Sequence, residues 1–246
     1  MVQAGGVDTE RAYAKLTLTL RVLGVRADGY HELEAEMVSV DLADEVMFAD
    51  GDGLRVEDAS GGAVAVTAGA DNLVCRALQA VGRRAEVRLL KRIPAGGGLG
   101  GGSSDAAAVL RWAGKGDDVA LAASLGADVP FCLRGGRARV RGTGEVLEAL
   151  PCRAGDAYTL LTPPVHVSTA AVYRAWDELG GPRGRGTNDL EPAALVVAPE
   201  LAKWRELLAE ATGAEPSLAG SGSTWFVPGA FLSVTGAVVV RTVCPG

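Results

Sequence analysis

Pro94-Ala-Gly-Gly-Gly-Leu-Gly-Gly-Gly-Ser-Ser-Asp-Ala-Ala-Ala108 is the stretch on which the reading of this chain turns. Pro94, Ala95 and Leu99 punctuate six glycines: Gly96, Gly97, Gly98, Gly100, Gly101 and Gly102. A backbone without β-carbons lets a large anion approach closely, and positive φ angles let successive N–H groups turn toward one point. Ser103, Ser104 and Asp105 follow as good N-cap residues, and the alanine-rich run through Val109, Leu110 and Trp112 is a strong helix former. Upstream, Glu86 to Ile93 reads as a strand that delivers the chain into Pro94. Strand, glycine loop, helix start is the order of a phosphate site, because unpaired N–H groups and the positive dipole end converge there. A flexible glycine linker would not be followed by a capped apolar helix.

The loop has no lysine and hydroxyl residue directly after its last glycine, so it is not a Walker sequence. A glycine run can be forced onto Gly-x-Gly-x-x-Gly. No acidic residue about twenty positions on ends a neighbouring strand, so a dinucleotide site is disfavoured.

Working outward, Tyr13 to Val22 alternates cleanly, with Leu16, Leu18, Leu20 and Val22 on one face and Lys15, Thr17, Thr19 and Arg21 on the other. That is a half-buried strand carrying one lysine among hydroxyls. Arg26-Ala-Asp-Gly-Tyr-His31 is a polar turn that presents Tyr30 and His31. Short strands are expected over Glu34–Phe48, Leu54–Val56 and Ala63–Thr67, and a capped helix over Asp71–Arg84. A second helix runs from Asp117 to Leu125. In Gly126-Ala-Asp-Val-Pro-Phe131, Pro130 should hold Val129 extended, leaving Asp128 on a tight corner. Arg137–Arg141 is a strand, followed by a turn at Gly142–Glu145. The texture changes near Ala149. A strand at Ala157–Thr162, a helix capped by Ser168-Thr169 and holding Tyr173, and a basic loop at Gly180–Gly186 come next. A helical region at Ala193–Thr212, a second glycine–serine turn at Gly220-Ser-Gly222 and a final strand at Ala237–Val243 complete the chain.

Across 246 residues 48% are hydrophobic, enough for one large domain or two modest ones sharing a cleft. The net charge of -6 argues against a general nucleic-acid binder. Cys75, Cys132, Cys152 and Cys244 lack metal-ligand spacing, and with two histidines no dedicated metal cage is expected; the default reading is reduced thiols in a cytoplasmic protein. Met1–Glu10 lacks the basic-then-apolar pattern of a signal peptide, and no run is long enough to span a membrane.

In this order the pieces resemble the GHMP family of small-molecule kinases. The resemblance rests on Ala14-Lys-Leu-Thr-Leu18, Arg26-Ala-Asp-Gly-Tyr-His31, Ile93 to Ala107, Leu125-Gly-Ala-Asp-Val-Pro-Phe131 and Ala219-Gly-Ser-Gly-Ser-Thr224. The second and fourth point to the branch whose acceptor is a methylerythritol carrying cytidine diphosphate, in the non-mevalonate route to isoprenoids.

The resemblance implies an α+β fold. An S5-like N-terminal domain over residues 1–148 and a ferredoxin-like C-terminal domain over 149–246 would flank the active cleft. It implies transfer of the ATP γ-phosphate to the 2-hydroxyl of that alcohol, with Asp128 as general base and Lys15 as the orienting cation. The loop from Pro94 to Ser103 and Ser104 would hold the triphosphate, and Ser104 would be the contact to a magnesium ion carried by ATP. Asp105 and Asn72 would lie on the adenosine side. His31 would read the cytosine edge, Tyr30 and Tyr173 would supply aromatic surface, and Thr17, Gly220, Ser221 and Gly222 would complete the substrate side. Thr17 stands where the family usually carries asparagine. A kinase for another alcohol, such as mevalonate, homoserine or a sugar, and a non-catalytic nucleotide-binding relative remain open at this stage, as does the oligomeric state.

Overall fold

Strand β1 (Asp8–Val25) runs through every part of the core. The computed structural model describes residues 7–62, 64–181 and 186–245. Residues 1–6 of the N-terminal segment, Ala63 and residues 182–185 of the basic loop lie outside the described residues. Ala12 of β1 belongs to one apolar cluster, Ala14 and Leu16 to a second, and Leu20 and Val22 to a third.

β1 turns at Gly29 (φ 84°) into β2 (His31–Ala49), its antiparallel partner. The expected short strand over Glu34–Phe48 is thus one 19-residue strand. The pairing is not regular. Tyr13 faces Ala43 but Lys15 faces Ser39, so β2 places three residues opposite Ala14, and a further shift follows Thr17. Bulges of this kind re-aim side chains and tighten twist. Lys15 and Thr17 are buried although alternation put them on a polar face, because the two glycine turns at Gly100 and Gly220 cover that face.

β3 (Gly53–Asp58) pairs in parallel with β4 (Glu86–Lys91). β4 pairs with β2 over Glu45–Ala49, while β5 (Arg137–Gly142) pairs with it over Leu33–Val38 and β6 (Val146–Ala149) follows β5. Between those two stretches, Val40 forms a bridge to Thr242, so the far end of the chain meets the first sheet there. Val64–Thr67, the described part of the expected Ala63–Thr67 strand, is not a strand. Helix α1 (Leu73–Ala80) is capped by Asn72, whose side chain accepts from the Val74 N–H.

α2 (Gly101–Trp112) begins earlier than its serines suggest. Gly100, in the left-handed region, is its N-cap, and Ser103, Ser104 and Asp105 lie inside the first turns. Their hydroxyl and carboxylate groups are therefore freed for other partners. α3 (Val119–Leu125) is capped by Asp118, and α4 (Val129–Arg134) begins immediately after Asp128. Val129 is thus helical, not extended. Pro130 occupies the opening turn, where a missing N–H goes unnoticed.

The second sheet has the order β10-β7-β9-β8 and is antiparallel throughout, with β7 (Ala157–Leu161), β8 (Ser217–Leu218), β9 (Trp225–Pro228) and β10 (Ala237–Arg241). Helices α5 (Thr169–Glu178), α6 (Glu191–Val197) and α7 (Leu201–Thr212) cover it. The helical region expected over Ala193–Thr212 is broken at Pro199, which cannot continue a helix. Cys152 and Cys244 form a disulfide with Cα atoms 6.0 Å apart. This corrects the expectation of four reduced thiols. The pair is 92 residues apart in sequence, and it forms because β10 returns beside β7. Cys75 and Cys132 are free.

Candidate active site

The glycine loop is stitched from both sides. Leu99 O accepts from the Lys15 N–H (3.0 Å) on β1, and Gly97 O accepts from the Thr224 N–H (3.2 Å) after the second glycine turn. A β-carbon on Gly98 would lie 2.2 Å from Ala219 O, and one on Gly100 would lie 2.8 Å from Lys15 Cγ, both at positive φ. These glycines thus serve packing between two segments. Residues Pro94–Gly102 border a cavity of about 280 Å³ with Val64–Thr67, Asn72, Leu73, Lys91 and Asp105. Gly98→Ala, which joins a strained φ to a collision with Ala219 O, is expected to destabilise the protein by roughly 1–3 kcal/mol or more; denaturant unfolding of the variant measures it.

Gly98 and Gly100 also border a larger cleft of about 680 Å³ on the other side. Lys15 and Asp128 meet there, Nζ to Oδ2 at 3.3 Å, across 113 residues of sequence. Asp128 is the N-cap residue of α4, yet its side chain makes no capping bond, so the carboxylate is left for chemistry. Its side chain is 32% exposed and that of Lys15 only 6%, so the carboxylate is open to the cleft while the cation is held. Lys15 Nζ donates to Thr17 Oγ1 (3.1 Å), which fixes the ammonium on the floor of the cleft.

The rest of the cleft comes from the turn before β2, the first helix of the second half and the second glycine turn. Tyr30, His31, Thr169, Tyr173, Arg174, Asp177, Gly220 and Ser221 all line it. His31 and Tyr173 lie with ring centroids 4.6 Å apart, and Tyr30 is exposed. Burial, and then the charge of Asp128, push the Tyr173 phenol well above its usual range, so it is neutral at any working pH. Gly222 lies outside the cleft lining and presents its carbonyl toward Gly98.

Buried Asn188 holds the second glycine turn, donating to Leu218 O (2.8 Å) and Gly220 O (2.6 Å). Neighbouring Asp189 accepts from Arg21 and from the Val22 N–H, which joins that turn to β1. Asn188 and Asp189 stand between the basic loop and the helical region that begins near Ala193. A pair of polar residues there gave no sign that both are buried.

Beneath the glycine loop lies a charged cluster that the sequence reading missed. Lys91, at the end of β4, donates to Asp44 on β2 and to Asp105 on α2 (2.7 Å for the latter). The second Asp44 oxygen accepts from the Arg92 and Ile93 N–H groups at 2.5 and 2.8 Å, fixing the entry to the loop. Burial works against the Lys91 ammonium, but the two carboxylates more than offset it and its pKa is raised. Burial pushes Asp105 up to about 7, opposed by Lys91 and aided by Asp44. Asp105 Oδ1 is buried without a hydrogen-bond partner.

Ser104, the expected magnesium contact, donates to Tyr13 O (2.6 Å), sits against Cys132 Sγ and borders neither cavity. Ser103 borders neither as well. Asn72 borders the cavity of the glycine loop, but its side chain is spent on capping α1 and donating to Thr67 O (2.8 Å). No group of three or more metal-ligating side chains occurs among the described residues.

Residues 70–136 match the GHMP kinases N terminal domain family. The chain is 41% identical over 262 residues to 4-diphosphocytidyl-2-C-methyl-D-erythritol kinase of Pelotomaculum thermopropionicum, covering 89% of this chain and 88% of that protein. It is 38% identical over 256 residues to the protein of the same name from Paracoccus denitrificans, covering 94% and 90%. Among solved structures it superposes on a 4-(cytidine 5'-diphospho)-2C-methyl-D-erythritol kinase with TM-score 0.75 and 33% identity, covering 96% of this chain and 99% of that one. An L. major mevalonate kinase in complex with R-mevalonate shares the fold alone, at TM-score 0.69 and 13% identity over 98% and 97% of the two chains.

Proposed function

Since the chain belongs to the GHMP kinases, and within them to the 4-diphosphocytidyl-2-C-methyl-D-erythritol kinase family, we propose that it phosphorylates the 2-hydroxyl of 4-(cytidine 5'-diphospho)-2-C-methyl-D-erythritol with ATP. One observation carries this reading. The Lys15–Asp128 pair lies in a cleft that shares Gly98 and Gly100 with the cavity of the glycine loop. An acceptor on one side and a nucleotide on the other would therefore meet at those two residues.

In the proposed reaction the substrate hydroxyl oxygen forms a bond to the γ-phosphorus as the bond from that phosphorus to the β–γ bridging oxygen breaks. The hydroxyl proton passes to Asp128, and ADP leaves. Phosphoryl transfer asks a protein mainly for positioning and for neutralisation of spread charge. Asp128 supplies the first by accepting the hydroxyl proton. Lys15 stands in contact with the carboxylate and steadies the developing alkoxide. The loop N–H groups hold the triphosphate. His31, Tyr30 and Tyr173 surround the base, and Gly220 and Ser221 face the remainder of the acceptor.

Magnesium, when carried in with ATP, supplies charge neutralisation at the phosphates. The donor set suits an ion bound mostly by phosphate and water, as Mg²⁺ prefers. Ser104 is committed to Tyr13 and the Asp105 carboxylate is buried against Lys91, so phosphate and water would supply most of the ion's ligands.

The test is an acceptor panel with ATP and magnesium, read as ADP release and as a new phosphate monoester by ³¹P NMR. Turnover of the cytidine diphosphate–linked alcohol, with mevalonate and homoserine inert, is the expected result. Turnover of either of those alcohols in its place overturns the substrate assignment.

A further inference from the structure

His31 has a partner that no part of the proposed mechanism uses. Its Nε2 lies 2.8 Å from Oδ1 of Asp177, in the last turn of α5, and both residues line the large cleft. The His31 side chain is 11% exposed, packed at 4.6 Å against Tyr173 and edge-on at 5.6 Å against Trp176. The ring is thus held on two sides while one edge stays open to the cleft.

The two nitrogens of a neutral imidazole differ, and the hydrogen bond made by one decides the role of the other. An ionised carboxylate accepts only, so Asp177 requires the proton on Nε2. Nδ1 is then an acceptor, and it has no protein partner among the described residues. Cytosine offers an amine where uracil offers a carbonyl oxygen. An acceptor nitrogen welcomes the first and repels the second.

We propose that Asp177 sets the base specificity of the cleft: by accepting the His31 Nε2–H it leaves Nδ1 as the acceptor for the exocyclic amine of cytosine. Asp177 is a positioning residue, since it acts through His31. The inference rests on the cytidine reading above. It deepens that reading by assigning the choice between the two pyrimidines to one carboxylate. A site built to pair a substrate group rejects an analogue that cannot pair, because its own polar atom is left unsatisfied.

The experiment uses the full chain, the cytidine substrate and its uridine counterpart, and Asp177→Asn, whose amide can accept or donate and so no longer dictates the tautomer. The wild type should prefer cytidine by about 10–100-fold in kcat/KM, the effect of one misplaced hydrogen bond. In the variant that preference should shrink toward unity through KM, with kcat kept, and Asp177→Glu should restore part of it. ¹⁵N NMR at pH 8 gives a readout independent of turnover, made simple by a chain with only two histidines. His31 should carry its proton on Nε2 in the wild type and on both nitrogens in exchange in Asp177→Asn. An equal loss on both substrates, an unchanged preference, or a wild-type proton on Nδ1 overturns the inference alone. A wild type that ignores the cytidine substrate overturns the substrate reading and this inference together.

Discussion

Asp128→Asn should lower kcat about 10²–10⁴-fold, the range a positioned general base contributes, while KM for both substrates stays within a few-fold. Asparagine keeps the size and polarity of the side chain and removes its capacity to take a proton. The fold should survive, because Asp128 makes no capping bond to α4 and its side chain is 32% exposed. Lys15 retains Thr17 as a partner. Steady-state kinetics with the cytidine substrate, run beside a thermal melt, separate loss of chemistry from loss of structure. Full activity in a folded variant removes Asp128 from the role of base. A low kcat with a collapsed melt would make its contribution structural.

What could be read from the chain in advance follows from how local each signal is. The glycine loop was legible because its meaning lies in consecutive residues: missing β-carbons, then a helix. The β1 strand was legible from alternation, but the register shifts around Lys15 were not. They depend on β2 placing Val40–Leu42 opposite a single residue of β1. The Lys15–Asp128 pair spans two motifs that composition alone reads as a solvated charge and a corner, and only the family resemblance joined them. Asn188 and the Cys152–Cys244 disulfide were invisible for the same reason, since each is defined by a partner far away in sequence. The misplacements that were local are the start of α2, taken from its serines when Gly100 holds the cap, and Val129, helical because proline is tolerated in an opening turn.

Lys91→Met should destabilise the protein by about 3–5 kcal/mol, the usual result of removing one member of a buried ion pair. Among the described residues, Lys91 is the one cation that holds Asp44 to Asp105 in their shared hydrogen-bonded cluster, and all three side chains are almost fully buried. Without it two carboxylates share a dry site under the glycine loop, and the Arg92 and Ile93 N–H groups lose a well-placed acceptor. Denaturant unfolding of the variant measures the loss. A midpoint like that of the wild type would show that the cluster contributes little.

The same cluster sets a pH dependence whose sign can be worked out. Asp105 titrates near 7 in the folded chain and near its ordinary 3.8 when unfolded, chiefly because burial disfavours its charge. Between those values the folded state holds a proton that the unfolded state has released, so stability falls as pH rises from about 4 to about 7 and is level above. Asp105→Asn should flatten that slope in urea midpoints measured across the interval. Lys91→Met should carry the slope beyond pH 7, because the cation that opposes the upward shift is gone. A wild type whose stability is level through the same window would mean that Asp105 stays ionised. Lys91 would then neutralise it fully, and the unpaired Asp105 Oδ1 would meet the nucleotide side of the loop as an anion instead of as a proton donor.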